Sequence, residues 1–187
     1  APSPGLVMLD EPIGSLDRTL RDRLTTEMRE LFTDLDLTVV YVTHDQGEAF
    51  AVADRVAVMR RGEIERVGTP EEVWSDPRTE FVARFIGLDA ITEAAVVGGT
   101  IDLGWGAFAF SATDGSYQIA LPPQAFGLDP TSAIRATVRT ASYRGGSYDI
   151  RAQLGGNNIQ VSSTVAMPPG ADIGLTVDPS RFIVLAG

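Results

Sequence analysis

The chain has no cysteine and no lysine, and only one histidine. Without cysteine there can be no disulfide, no thiolate nucleophile and no Cys-ligated zinc, and nothing calls for an oxidising compartment. No apolar run reaches the roughly 20 residues that a membrane-spanning helix needs. Nor is there a basic segment followed by an apolar one, as in a secretory signal. The expectation is a cytosolic chain with no direct insertion into lipid. Positive charge is scarce as well: 15 basic residues face 25 acidic ones, a net charge of -10 that repels nucleic-acid backbones. All fifteen basic residues are arginine. The 187 residues, 44% of them hydrophobic, suit one mid-sized or two small domains, each able to bury a core.

The first half, residues 1 to 87, alternates strand and helix patterns. GLVML is an apolar run that ends in Asp10 and Glu11, with Pro12 and Gly14 marking a turn, as in a buried parallel strand delivering acids at its C-terminal end. Leu20, Leu24, Met28, Leu31, Phe32 and Leu35 then recur at helical spacing, with Asp17 placed as the cap. TVVYV (38–42) predicts a second buried strand, from whose end Thr43 and His44 leave. DQGEAFAVA predicts a helix, and RVAVMRRGEIERVG two strands around Arg61 and Gly62. Thr69 and Glu72 of TPEEVW have capping-box spacing, and TEFVARFIG repeats the pattern with Thr79 as cap and Gly87 as stop.

Residues 88 to 187 are rich in Gly, Ala, Thr, Val and Ser. Short alternating runs are punctuated by turns at GG, GGNN, PPG and DP. Five or six strands at that spacing predict an all-β domain, a small barrel of the oligonucleotide/oligosaccharide-binding (OB) type or else a sandwich. Residues 1–87 carry a net charge of -7 and residues 88–187 a net charge of -3, so neither half is a basic surface. A nucleic-acid partner is not expected.

Paired carboxylates at the end of a buried strand can do phosphate chemistry. The first can hold Mg²⁺ through its water shell and the second can orient an attacking water. The same Asp-Glu pair can also be a solvated turn, and a lone histidine after a strand is commonly structural. Their arrangement narrows the choice. Asp10 and Glu11 end one strand, Asp17 opens the next helix, and His44 ends the following strand 34 residues past Asp10. In a parallel sheet both strand ends lie on one edge.

On these residues LVMLDEPIGSLD resembles the Walker B segment and D-loop of an ATP-binding-cassette (ABC) ATPase. VYVTHDQGEAFAVADRVAVMRRGEIERVGTPEEVWSDP resembles its H-loop and following elements, and the likeness runs from about residue 6 to residue 87. The family implied is the importer type, in which Asp10 helps hold the Mg²⁺ of MgATP, Glu11 is the general base or water-orienting acid, and His44 contacts the γ-phosphate. Asp17, in GSLD where the family more often has SALD, would lie at the interface between two ATPase subunits. The Gly14 and Ser15 departures leave that aspartate in place.

The family's phosphate cradle is a GxxxxGK loop ending in Ser or Thr, and this chain has no lysine to supply one. The resemblance therefore implies an α/β fragment of a P-loop ATPase domain (1–87) followed by an OB-like β barrel (88–187), the C-terminal part of a longer subunit and inactive alone. The second half resembles the transport-associated OB-type (TOBE) domain of such subunits: LPPQAFGLDP stands where the family often has an LRPE variant, ASYRGGSYDI matches its strand, Gly-Gly turn and strand, and DPSRFIVL its final strand. The cofactors implied are ATP and Mg²⁺. The partners implied are a second copy, as a homodimer or higher oligomer, and membrane permease subunits, placing the protein at the inner face of the cell membrane. The YRGGSYDI region leans toward ferric-iron importers, with polyamine, sugar and thiamine importers as neighbours. The alternative is a stand-alone regulatory or dimerisation module with a degenerate ATPase remnant.

Overall fold

A computed structural model describes residues 5–14 and 16–185; Ser15, one of the two GSLD departures, lies outside the described residues. The chain divides into two compact units, residues 1–75 and 76–187.

The first unit opens with β1 (Val7–Asp10), α1 (Arg18–Asp34) and β2 (Val39–Val42), and the two strands pair in parallel with Asp10 opposite Val42. α2 (Gln46–Val52) follows, then the antiparallel hairpin of β3 (Val56–Arg60) and β4 (Glu63–Gly68), then α3 (Pro70–Ser75). Each boundary has a local cause. Asp17 accepts the Leu20 N–H at 3.1 Å and starts α1. The hairpin turns on Arg61 (φ 51°) and Gly62 (φ 85°), the left-handed pair that a two-residue turn between twisted strands requires. The capping box closes reciprocally: the Glu72 N–H donates to Thr69 Oγ1 at 3.2 Å and the Thr69 N–H to Glu72 Oε2 at 3.0 Å.

Two expectations for this unit need correction. β1 and β2 are not buried strands. Their residues alternate between half-buried and exposed, because among the described residues their sheet has two strands and one face without a covering layer. α1 is also rotated from the apolar stripe read in the sequence. Leu20, Leu31 and Leu35 face water, while the sheltered side runs through Arg21, Leu24, Thr25, Met28, Arg29 and Phe32. Polar ties explain the rotation. Arg29 donates to the Val52 carbonyl (2.6 Å) and to Asp54 (2.5 Å), pinning α1 to the end of α2. Arg21 does the same at the helix start.

The second unit begins with α4 (Glu80–Phe85), so the division falls ahead of this helix and not after Gly87. Val82, Ala83 and Ile86 are buried, and Glu80 accepts a hydrogen bond from Gln118 of β8 (Gly115–Ala120) at 3.3 Å. Two antiparallel five-stranded sheets follow. One runs β14 (Ile183–Leu185), β8, β5 (Ile91–Val97), β6 (Thr100–Asp102), β7 (Ala107–Ala109). The other runs β12 (Asn157–Ser163), β11 (Tyr148–Leu154), β10 (Arg135–Tyr143), β13 (Asp172–Val177), β9 (Phe126–Leu128). In the latter, β12 comes back beside β9, making a nearly closed, barrel-like sheet.

The all-β expectation holds, but with two five-stranded sheets in place of five or six strands. Several extra strands are three residues long, too short to show alternation. Inward residues of both sheets form one core that includes Val96, Ile101, Ile119, Ile150, Leu154 and Leu175. Trp105 is an apolar anchor against Phe108 and Phe126 (5.5 and 6.4 Å between ring centres). At the Gly-Gly hairpin, the Tyr143 and Tyr148 rings pack at 5.2 Å between centres, tilted by 58°, and Arg144 pairs with Asp149 at 3.1 Å. These residues are satisfied by packing against each other.

Candidate functional site

The parallel pairing of β1 and β2 brings their C-terminal ends to one edge, and the candidate residues leave from there. Asp10 is the last residue of β1 and its side chain is exposed. The chain then reverses at Glu11, whose φ of 45° is a left-handed conformation that non-glycine residues rarely adopt. The Glu11 N–H, extending the ladder, donates to the Val42 carbonyl of β2 (2.8 Å), and the left-handed turn at its Cα sends the carboxylate toward the segment after β2. His44 meets it there: Nδ1 lies 2.8 Å from Glu11 Oε1.

This contact sets the electrostatics. The hydrogen bond to Glu11, and then its negative charge, raise the His44 pKa above the ordinary 6.5, with smaller contributions from Glu48 and Asp45. When neutral, a ring held this way carries its proton on Nδ1; when charged, it also has an Nε2–H to donate. Both side chains are more than half exposed, so they are open to an incoming anion.

Asp17 does not join this pair: the structure places it at the start of α1 as a capping residue, with its side chain exposed. No group of three or more potential metal ligands occurs among the described residues. The donor set, one exposed carboxylate at Asp10 next to Glu11, does not fit a protein-made metal cage. A single exposed carboxylate of this kind could hold Mg²⁺ only through the ion's water shell.

The sequence reading missed the network behind the pair. Glu48 is buried on α2, yet it accepts from Thr43 Oγ1 (2.7 Å) and Tyr41 Oη (3.2 Å) and faces Arg21 Nε at 3.5 Å. Burial and the neighbouring Glu48 carboxylate push the Tyr41 phenol well above its ordinary range, so it stays a donor. Asp45 caps α2 by accepting the Glu48 N–H at 3.1 Å and pairs with Arg21 Nη1 at 3.3 Å. Beside the network lies an open cleft of about 550 Å³ lined by Arg21, Thr25, Asp45 and Glu48. The signal was present in the sequence: Glu48 interrupts an otherwise apolar stretch of α2, and Arg21 sits one turn before a threonine on α1.

No protein-family model matches the chain. It is 44% identical to the "Fe(3+) ions import ATP-binding protein FbpC" of Streptomyces avermitilis, across all of this chain and 56% of the relative. It is 33% identical to the protein of the same description from Escherichia coli, over 98% of this chain and 55% of the relative. The "Spermidine/putrescine import ATP-binding protein PotA" of Acidothermus cellulolyticus is 40% identical over 75% of this chain and 35% of its own length. The chain spans about half the length of the curated relatives it matches. Along its whole length, the chain belongs with the ATP-binding subunits of ABC importers, aligning with their C-terminal part.

Proposed function

We propose that this chain is the C-terminal part of the ATP-hydrolysing subunit of an ABC importer. In this reading Glu11 orients or deprotonates the attacking water, His44 contacts the γ-phosphate, and Asp10 holds the hydrated Mg²⁺ of MgATP. The observation that carries the proposal is the 2.8 Å contact of Glu11 with His44 at the shared edge of two parallel strands, with Asp10 adjacent. Phosphoryl transfer to water needs positioned groups and charge stabilisation more than covalent chemistry, and these residues supply both. Glu11 holds the imidazole through Nδ1, so in the charged ring the Nε2–H is left to donate to an anionic oxygen. Bound Mg²⁺ would neutralise charge developing on the phosphate oxygens.

The chain has no lysine for the β- and γ-phosphates, so by itself it is expected not to turn over ATP. In the complete subunit, the reading assigns pairing with a second copy across the Asp17 segment, docking on membrane permease subunits, and TOBE-type β structure in the second unit. The ferric-iron wording of the 44%-identical relative supports Fe³⁺ as the cargo.

The test is ATP hydrolysis by the complete subunit with its permease. Glu11→Gln should lower kcat by about 10²- to 10⁴-fold, the range for a positioned acid-base group. Turnover by the 187-residue chain alone, lost in Glu11→Gln, would sink the claim that the phosphate cradle lies elsewhere.

A further inference from the structure

Two segments must keep a fixed separation for Glu11 and His44 to meet: the loop after β1 and the loop after β2. A single side chain is bonded to both. Arg21 Nη2 donates to the Leu16 carbonyl at 2.9 Å and to the Gly14 carbonyl at 3.5 Å, while the Gly14 N–H donates to the Glu11 carbonyl at 3.3 Å. Arg21 therefore braces the loop that carries the acid. Its other side braces the loop that carries the histidine. Nη1 pairs with Asp45, the residue after His44, and Nε faces buried Glu48, which is held in turn by Thr43, the residue before His44. Thr43 and Asp45 are also bonded directly, the Asp45 N–H donating to Thr43 Oγ1 at 3.0 Å.

We propose that Arg21 is a positioning residue, with Glu48 as its buried counter-charge, and that it sets the separation of Glu11 and His44 without touching either. The chemistry favours arginine. A planar fork with five donors can serve carbonyls on one side and carboxylates on the other, whereas lysine is a point charge that serves one side at a time. The low exposure of Glu48 makes the arrangement obligatory: a buried carboxylate without its cation is strongly unfavourable, so the guanidinium is held where it braces both loops. For the reaction, the role rests on the ATPase reading above. In the complete subunit, a loosened pair should lower kcat toward the 10²-fold scale of a misplaced group while leaving KM for ATP nearly unchanged.

The test uses the 187-residue chain and needs no hydrolysis. Because His44 is the only histidine, an imidazole nitrogen spectrum at alkaline pH contains one ring, and the Glu11 contact requires its neutral form to be the Nδ1–H tautomer. Arg21→Gln should abolish that signature and Arg21→Lys, which keeps the charge, should weaken it. Arg29→Gln removes a comparable tie between the same two helices, away from the pair, and should leave the signature intact. A folded Arg21 variant with the wild-type signature would overturn the proposal. So would equal loss in Arg29→Gln, or unfolding of Arg21→Lys, since either makes Arg21 a general structural tie. If the tautomer depends on Arg21 but the complete subunit shows no Glu11-dependent hydrolysis, the positioning role stands and the ATPase reading fails.

Discussion

In the second unit Val96, Ile101, Ile119, Ile150 and Leu175 are removed from water entirely, whereas in the first Met8, Val40 and Val42 keep 42 to 71% of their surface exposed. Both sets come from strands of similar apolar composition. The difference is what the strands have to pack against. In the second unit, inward faces of two five-stranded sheets share one core; in the first, a two-stranded sheet has a face that no described element covers. An apolar strand pattern therefore reports a demand for burial, and the fold of these residues meets that demand in one unit only.

The strongest way to break this comparison is to separate the units. Residues 76–187 alone should unfold in one cooperative transition by calorimetry, and residues 1–75 alone should show none. A sharp heat-absorption peak from the shorter piece would mean that its small buried set suffices. Next in size are single truncations. Leu175→Ala removes a fully buried side chain from a shared core and should cost about 2–5 kcal/mol in urea unfolding. Met8→Ala, at a mostly exposed position, should change stability by no more than about 0.5 kcal/mol. Similar losses at the two sites would erase the contrast.

The exposed strand face should also drive self-association. A Met8→Lys, Val40→Lys double variant should shift the chain toward monomer in light scattering at matched concentration; a wild-type chain that is already monomeric at high concentration would contradict this. The smallest effect concerns pH. His44 has a raised pKa in the folded state, so its contact with Glu11 stabilises the first unit fully below the ordinary histidine value of 6.5 and less as pH rises through the raised value. Melting curves of wild type and His44→Gln should differ most below pH 6.5 and less above the folded pKa, where only the neutral hydrogen bond to Glu11 is left. A gap that widens with pH would reverse the assigned sign.

Much of the local structure was legible because its causes are local. Asp17, Thr69 with Glu72, and Arg61 with Gly62 act within three residues, and each does what its spacing implied. The edge holding Asp10, Glu11 and His44 was legible too, since parallel pairing follows from a strand, helix and strand in sequence. The rotation of α1 was not. Apolar periodicity ranks Leu20 and Leu31 as the inward residues, but Arg21 and Arg29 find carbonyls and carboxylates 23 to 25 residues away on and beyond α2, and those partners cannot be read from helical spacing. The three-residue strands of the second unit were invisible for a different reason: only pairing defines them.

The hydrogen bond from the Glu11 amide to β2 has a mechanical consequence. Because its amide is anchored to Val42, the acid rides on the strand that leads to the histidine as well as on its own. A displacement of the end of β2 is then passed to the acid as well as to the histidine, whereas sliding of β1 against β2 strains the bond between Glu11 and Val42.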